Sequence, residues 1–276
     1  MSILPIPVDF NYSLAFKEAL SNGQICLNYQ PIIDLNTGRV QGYEALMRWT
    51  HPSFGSISPG IFIPALVESG LIVEASKWAL RESCRALKRI EGRIGQVKNL
   101  YMSVNFTASD FAEESFLDDL YQIISASDVL PTQIQLEITE ELLMSQPDNA
   151  RKTLELCRKA GLKIAVDDFG TGKASLEFLQ NFPIDTVKLD RVFIRGMTSH
   201  PEKLDEAKPV LSIAQKRHLT MTAEGIETQE EAFLLKQLGC NTAQGYYFAK
   251  PLPEKDITEL LLGNSGFSRK LEPVFA

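Results

Sequence analysis

The stretch Ile25–Arg48, ICLNYQPIIDLNTGRVQGYEALMR, sets the terms on which the fold is read. Residues 25–35 and 39–48 each have the β-branched and aromatic content of a strand, and only Asn36-Thr37-Gly38 separates them. A connection that short, made of turn-forming residues, reverses the chain, so the two strands pair antiparallel. Such a hairpin is unusual in a barrel of parallel strands.

Beyond Arg48 the pattern changes. Leu100–Asn105, Gln133–Ile138, Leu162–Asp167, Thr186–Leu189, Leu219–Ala223 and Thr242–Tyr246 read as further strands, with segments of helical length between them. That alternation is the sign of repeated β-α units and predicts an α/β fold. Two helix ends are legible: Asp148 as the cap of a helix stopping near Gly161, and Thr228 with Glu231 as a capping box. No linker-like, low-complexity or repeated segment divides the chain. One domain is therefore expected over residues 13–263, with tails at 1–12 and 264–276.

Composition narrows the function. The 276 residues are 44% apolar and 23% charged, as in globular proteins rather than disordered or fibrous ones. Lys+Arg 28 against Asp+Glu 35 gives a net charge of −7. An acidic chain has no basic stripe to neutralise a run of phosphates, which argues against a DNA or RNA polymer as ligand but leaves a small nucleotide open. Cys26, Cys84, Cys157 and Cys240 are far apart with no Cys-x-x-Cys, so reduced thiols are expected rather than disulfides or zinc. The first lysine is Lys17, and no apolar run approaches the roughly 18 residues of a membrane span. A cytoplasmic, soluble protein with no membrane segment is the expectation.

The acids fall in a pattern. Glu44 lies in the second strand, Asn105 ends the third, Glu137 lies in the fourth, and Asp167-Asp168 close the fifth. Lys188 and Asp190 follow on the sixth, Glu224 and Glu227 on the seventh, and Gln244 on the eighth. In a parallel barrel the C-terminal ends of the strands converge on one face, so this series projects into one mouth. Singly, each has a plainer account: a lone Glu44 or Gln244 is more often a surface or capping residue, and Asp167–Gly172 on its own reads as a flexible turn. Jointly they favour a site. Carboxylates so close repel, and call for a cation among them. Oxygen ligands without His or Cys suit Mg²⁺ or Mn²⁺ better than zinc. Two such ions sharing an aspartate could activate water and stabilise the leaving oxygen of a phosphodiester.

At these positions the sequence resembles the EAL-domain phosphodiesterases that cleave cyclic di-GMP. The resemblance is carried by Gln30-Pro31, Glu44-Ala45-Leu46-Met47-Arg48-Trp49, Ser103-Val104-Asn105, Leu136-Glu137-Ile138-Thr139-Glu140 and Asp167 to Gly172. Lys188-Leu189-Asp190, Ala223-Glu224-Gly225-Ile226-Glu227 and Gln244-Gly245-Tyr246 complete it, over roughly residues 20 to 260. It implies a modified (β/α)8 TIM barrel with one antiparallel strand from the N-terminal hairpin. It implies metal ligands at Glu44, Asn105, Glu137, Asp167, Asp168 and Glu224. Catalytic roles fall to Glu224 as general base or second-metal ligand, to Asp168, and to Lys188, which would orient the attacking water. Contacts to the dinucleotide fall to Gln30, Glu44, Leu46, Arg48, Asn105, Asp168, Asp190, Gln244 and Pro251. Glu140 would steady the loop at Asp167 to Gly172, with Glu227 also in a supporting place. The implied reaction is hydrolysis to linear pGpG with two Mg²⁺ or Mn²⁺ ions and inhibition by Ca²⁺, in a homodimer, with room for a fused or separate sensory partner.

Two stretches depart from the family. After Thr171-Gly172 this chain has Lys173-Ala174-Ser175-Leu176 in place of an aromatic and two serines, which bears on dimerisation and regulation more than on chemistry. In Gly60–Gly70, Ile61, Leu66 and Val67 stand where more polar residues are common, as a partner surface or as buried helix packing. The rival function is a receptor with the same fold that binds cyclic di-GMP, or a protein, without hydrolysis. Such receptors typically lose metal ligands, and every ligand position matched here is filled.

Overall fold

The computed structural model describes residues 5–95, 100–169 and 176–262. The hairpin forms as its sequence dictates. β1 (Ile25–Asp34) and β2 (Val40–His51) pair antiparallel with Gln30 opposite Glu44. The Asp34 carboxylate accepts from the backbone N–H groups of Asn36 and Thr37, and Gly38 takes the left-handed φ of 66° that closes the turn. β2 runs past Arg48 and doubles back into β3 (Gly55–Ile57), a short antiparallel extension that the strand pattern did not reveal.

β4 (Tyr101–Phe106), β5 (Ile134–Thr139), β6 (Lys163–Phe169), β7 (Thr186–Leu189), β8 (Thr220–Ala223) and β9 (Thr242–Ala243) then follow β2 in parallel order. β9 pairs antiparallel with β1, closing an eight-stranded barrel in which β1 alone runs backwards. The expected modified (β/α)8 barrel is the fold observed. β9 is shorter than expected, since Gln244 to Tyr246 leave the ladder.

Helices supply the outer layer. α1 (Tyr12–Ser21) precedes the barrel, and α2 (Pro59–Glu68) and α3 (Ile72–Ile94) join β3 to β4. α4 (Ala108–Ala112) and α5 (Phe116–Ala126) link β4 to β5, and α6 (Glu140–Ser145) and α7 (Pro147–Lys159) link β5 to β6. α8 (Leu176–Leu179), then α9 (Arg191–Ile194) with α10 (Pro201–Lys216), then α11 (Gln229–Gln237) make the remaining crossovers, and α12 (Glu254–Leu262) follows β9. The Thr228–Glu231 capping box forms at α11. Asp148 is not a cap: Pro147 takes the first helical position, where its missing N–H costs nothing, so Asp148 falls in the first turn and pairs with Arg151 at 3.0 Å.

Strand periodicity sorts the interior. Met102, Val104, Leu136, Ile138, Ile164, Val166 and Val187 face the helices in one core. Their alternates Ser103, Gln135, Glu137, Thr186, Lys188, Thr222 and Thr242 are also buried, but inside the barrel. Barrel interiors are more commonly Val, Ile and Leu. A second core lies outside the ring, where Phe16, Ile25, Trp49, Ile57, Phe62 and Leu66 bring α1, α2 and β3 around the end of β2. Trp49 is fully buried, 5.6 Å from Phe62 and 5.8 Å from Phe16, both edge-on. Phe10 packs on the same group, 5.2 Å from Phe54. Leu66 is packed there, whereas Ile61 and Val67 point to solvent.

Cys84, Cys157 and Cys240 are buried, Cys26 is exposed, and all four are free thiols. Among the described residues no helix is long and apolar enough to cross a membrane. The C-terminal tail at 264–276, the turn at Gly170 to Gly172 and the departure at Lys173-Ala174-Ser175 lie outside the described residues.

Candidate active site

The strand ends bring one cation and several acids together. Glu44 of β2, Glu137 of β5, Asp167 of β6 and Lys188 of β7 point into the mouth, with Glu224 and Gln244 just beyond β8 and β9. The Lys188 Nζ lies 2.7 Å from Glu224, 3.0 Å from Glu137, 3.0 Å from Asp167 and 3.6 Å from Glu44. The contact to Glu224 is the shortest, and the ammonium sits among the four carboxylates as their shared buried counter-charge. Gln244 Nε2 donates to Glu44 Oε2 at 2.6 Å and to Glu224 Oε1 at 3.0 Å, clasping two acids from strands on opposite sides of β1 and β9. Asn105 Nδ2 donates to Glu44 Oε1 at 3.2 Å.

Asp167 and Asp168 are adjacent, and in a regular strand their side chains would point to opposite faces. β6 slips its register against β7 between Val166 and Phe169, and Asp168 takes a left-handed φ of 53°. That bulge turns both carboxylates toward the mouth. Positive φ is unfavourable for a residue with a Cβ, so it is a strained conformation at a place where strain serves the site.

One lysine does not balance these acids. Burial pushes the Glu224 carboxyl up to about 8, with Asp167 and Glu44 adding to the shift against Lys188. Burial likewise raises Glu137 well above the usual range, opposed by Lys188 and Ser103. Asp168 is raised by burial and then by Asp167. Burial alone would lower Lys188, but Glu137, Glu224, Glu44 and Asp167 together hold it well above its usual value. The site has too little positive charge to ionise fully.

Divalent cations fit what is missing. Oxygens of Glu44, Glu137 and Asp167 lie within 4.8 Å of one another, as do those of Asp167, Asp168 and Glu224, so Asp167 is common to both groups. Glu137 Oε2 is buried and faces only the Lys188 ammonium at 3.0 Å, a cation it shares with Glu44, Asp167 and Glu224. The donors are all oxygen, which suits hard cations.

A hollow of about 300 Å³ opens beside the acids, with Gln30, Leu46, Asp190 and Glu227 on its wall. Asp190 also caps α9, accepting from Val192 N at 2.7 Å. Glu140 is buried at the start of α6, directly after Thr139, which pairs with Asp167. Two expected contacts are engaged elsewhere, although Arg48 stays close enough to Tyr246 and Glu44 for their charges to interact. Arg48 folds back so that Nη1 donates to the Met47 carbonyl at 2.8 Å, and Pro251 uses its own carbonyl to accept from Asn28 Nδ2 at 3.4 Å. Tyr246, quoted with Gln244-Gly245 but given no role, lines the hollow, as does Arg191, which was not singled out although it directly follows Asp190. Gly245 is required there, because a Cβ would sit 2.2 Å from the Ile226 backbone. A larger hollow, about 750 Å³ between α3 and α5, is lined by Arg81, Arg85, Lys88 and Arg89, far from this chemistry in kind. Lys88 and Arg89 are already paired with Glu91 and Glu254.

A family model for the EAL domain matches residues 14–251. The cyclic di-GMP phosphodiesterase NbdA of Pseudomonas aeruginosa is 35% identical over 245 residues, 89% of this chain and 31% of that protein. The oxygen sensor protein DosP of Escherichia coli is 35% identical over 243 residues, 88% of this chain and 30% of that protein. The chain thus spans about a third of the length of these relatives. Among solved structures, the cAMP-bound form of the EAL enzyme Bd1971 superposes with a TM-score of 0.85 at 30% identity, over 90% of this chain and 69% of that one. The PaMucR phosphodiesterase in complex with c-di-GMP gives 0.84 at 32% identity, over 90% of this chain and 100% of that one. With the match running from α1 to the segment after β9, the chain belongs to the EAL domain family.

Proposed function

We propose that this chain hydrolyses one phosphodiester of cyclic di-GMP to linear pGpG, using two Mg²⁺ or Mn²⁺ ions. The observation that carries the reading is the pair of carboxylate groups sharing Asp167 around a buried Lys188. Glu44, Asn105, Glu137 and Asp167 would hold one ion, and Asp167, Asp168 and Glu224 the other. When bound, such a pair supplies Lewis-acid charge against a phosphodiester and makes water a usable nucleophile at neutral pH.

The chain's own groups do the rest. Lys188 supplies a fixed positive charge to the acids and to a phosphate placed against them. Glu224 is the proton acceptor for the attacking water, with Oε1 already engaged by Gln244 and Lys188. Gln30, Leu46 and Asp190 form the wall against which the dinucleotide lies, and Arg48 reaches a phosphate by leaving the Met47 carbonyl. The names of NbdA and of the PaMucR complex support the same substrate. Since those curated relatives are about three times longer, control by a fused or separate sensory partner belongs to the proposal, as do homodimerisation and a cytoplasmic location.

The test is incubation of purified protein with cyclic di-GMP in Mg²⁺, Mn²⁺ or Ca²⁺, with the linear product read by chromatography. Product is expected with the first two and not with Ca²⁺, whose larger and more irregular coordination does not fit a compact two-ion site. Glu44→Ala or Asp167→Ala is expected to abolish turnover. Near-wild-type rates in either variant would sink the metal assignment, and binding without product in all three ions would favour the receptor.

A further inference from the structure

Two residues before Asn105, Glu137, Lys188, Glu224 and Gln244 stands a buried hydroxyl or amide, whereas Gly42 and Ala165 hold that place before Glu44 and Asp167. Ser103 precedes Asn105, Gln135 precedes Glu137, Thr186 precedes Lys188, Thr222 precedes Glu224 and Thr242 precedes Gln244. A spacing of two places these side chains one layer deeper in the barrel, roughly 6.6 Å along the strand. All five are at most 5% exposed. Aliphatic side chains would fill that layer more cheaply, because a buried polar group must find partners to avoid a desolvation cost.

Part of this layer is wired to the site with a fixed direction. Ser103 Oγ lies 2.5 Å from Glu137 Oε1, and Gln135 Nε2 lies 3.0 Å from Ser103 Oγ. Thr186 Oγ1 donates to Gln135 Oε1 at 3.4 Å. The Gln135 carbonyl can only accept, so it is the amide nitrogen that faces Ser103, and that nitrogen can only donate. With one lone pair taken by Gln135, the single proton of Ser103 is left for Glu137. The chain of donors therefore runs Thr186, Gln135, Ser103, Glu137, and ends on one oxygen of a carboxylate. The other oxygen, Oε2, is turned the opposite way, toward the acids of the mouth, and lies 3.0 Å from the Lys188 ammonium.

We infer that Ser103 and Gln135 are positioning residues of the ion site: they tie down Glu137 Oε1 as an acceptor and so present Oε2 alone as a single-oxygen ligand. This rests on the reading of Glu137 as a metal ligand. Without the wire the carboxylate can rotate, or turn both oxygens to the ion, and a ligand that is not held in place loses affinity for its metal. Groups standing behind metal ligands are typically worth about 10–100-fold in metal affinity.

The experiment measures Mn²⁺ binding directly, from the electron paramagnetic resonance of free Mn²⁺, in the full chain without substrate. Ser103→Ala is expected to weaken binding about 10–100-fold, beyond the modest fall in ion-free melting temperature that follows from leaving Gln135 Nε2 and Glu137 Oε1 without the hydroxyl, and Gln135→Met to weaken it in the same direction by freeing the serine proton. Ser103→Thr, which keeps the hydroxyl, should restore most of it. In turnover the Mn²⁺ concentration for half-activation should rise, with kcat recovering at saturating Mn²⁺. A core-filling role would move the melting temperature and leave the Mn²⁺ affinity alone. If Ser103→Ala and Gln135→Met bind Mn²⁺ within twofold of wild type while Glu137→Ala loses it, the positioning role is wrong and the ligand reading stands. If Glu137→Ala itself binds like wild type, the ligand reading falls and takes the positioning role with it. Should Ser103→Ala fail to fold, Gln135→Met decides by the same criterion.

Discussion

Replacing Lys188 with Met removes the cation in direct contact with Glu44, Glu137, Asp167 and Glu224. At an effective dielectric near 20, each contact of 2.7 to 3.6 Å is worth about 5–6 kcal/mol before desolvation. The buried ammonium forfeits several kcal/mol of hydration to be there, so the net figure is far smaller than the sum of four contacts. Breaking a buried pair by removing one partner costs about 3–5 kcal/mol, because the remaining charge has no compensation. For a domain of this size each kcal/mol moves the melting temperature by about 2–4 °C, giving a drop of about 6–20 °C for Lys188→Met in chelator. The carboxylates can relieve themselves by taking up protons, so the deficit should shrink toward about pH 5 and be largest near pH 8. Divalent ions should rescue it. Excess Mn²⁺ is expected to raise the melting temperature of Lys188→Met by more than that of wild type, since the ions then replace the charge that Lys188 supplied. Thermal denaturation with chelator and with Mn²⁺ reads both effects. A variant that melts with wild type in chelator, or gains no more from Mn²⁺ than wild type, would refute the picture of Lys188 as the counter-charge of this cluster.

The ion-free protein should also lose stability as pH rises from about 6 to about 8. Glu224 is raised to about 8 from an ordinary 4.5, so across that interval the folded state holds a proton that the unfolded chain has released, and stability falls with pH. Urea midpoints should decline over this range in chelator; a rising midpoint would contradict the burial argument. Gly245→Ala should destabilise the fold and disturb the turn carrying Gln244, because its Cβ would lie 2.2 Å from Ile226 backbone atoms that cannot step aside. Overpacking of this kind costs about 1–3 kcal/mol, and a melting curve superimposable on wild type would show that the close approach is not real.

Much of the barrel was legible because its parallel strands are short apolar runs with polar residues at one end, and because Asn36-Thr37-Gly38 permits nothing but a reversal. The convergence of Glu44, Glu137, Asp167, Lys188, Glu224 and Gln244 was legible for the same reason, since strand direction fixes which end each side chain occupies. Other features lay beyond pattern. Asp168 reaches the mouth through a bulge, which depends on how β6 sits against β7 rather than on its own residues. β3 and the packing around Trp49 depend on α1 and α2 arriving from both sides of β2. Arg48 was placed by its motif, yet where a long side chain points depends on which acceptor is nearest, and here that is the carbonyl before it. The helix at Pro147 shows the converse: proline at the first position overrode a good capping residue one place later.

The reversal of β1 has a mechanical consequence. In a barrel whose first strand runs with the others, the chain comes in at the closed end, and a push on the preceding helix must cross the whole core to be felt at the mouth. Here β1 starts at the mouth, with Ile25 opposite Trp49, and α1 is joined to it by three residues. Phe16 of α1 rests against Trp49, which directly follows Arg48 on the strand that carries Glu44. A displacement of α1 is thus a displacement of the rim itself, transmitted through the contacts of Tyr12 and Phe16 with Trp49 and through two paired strands rather than through eight.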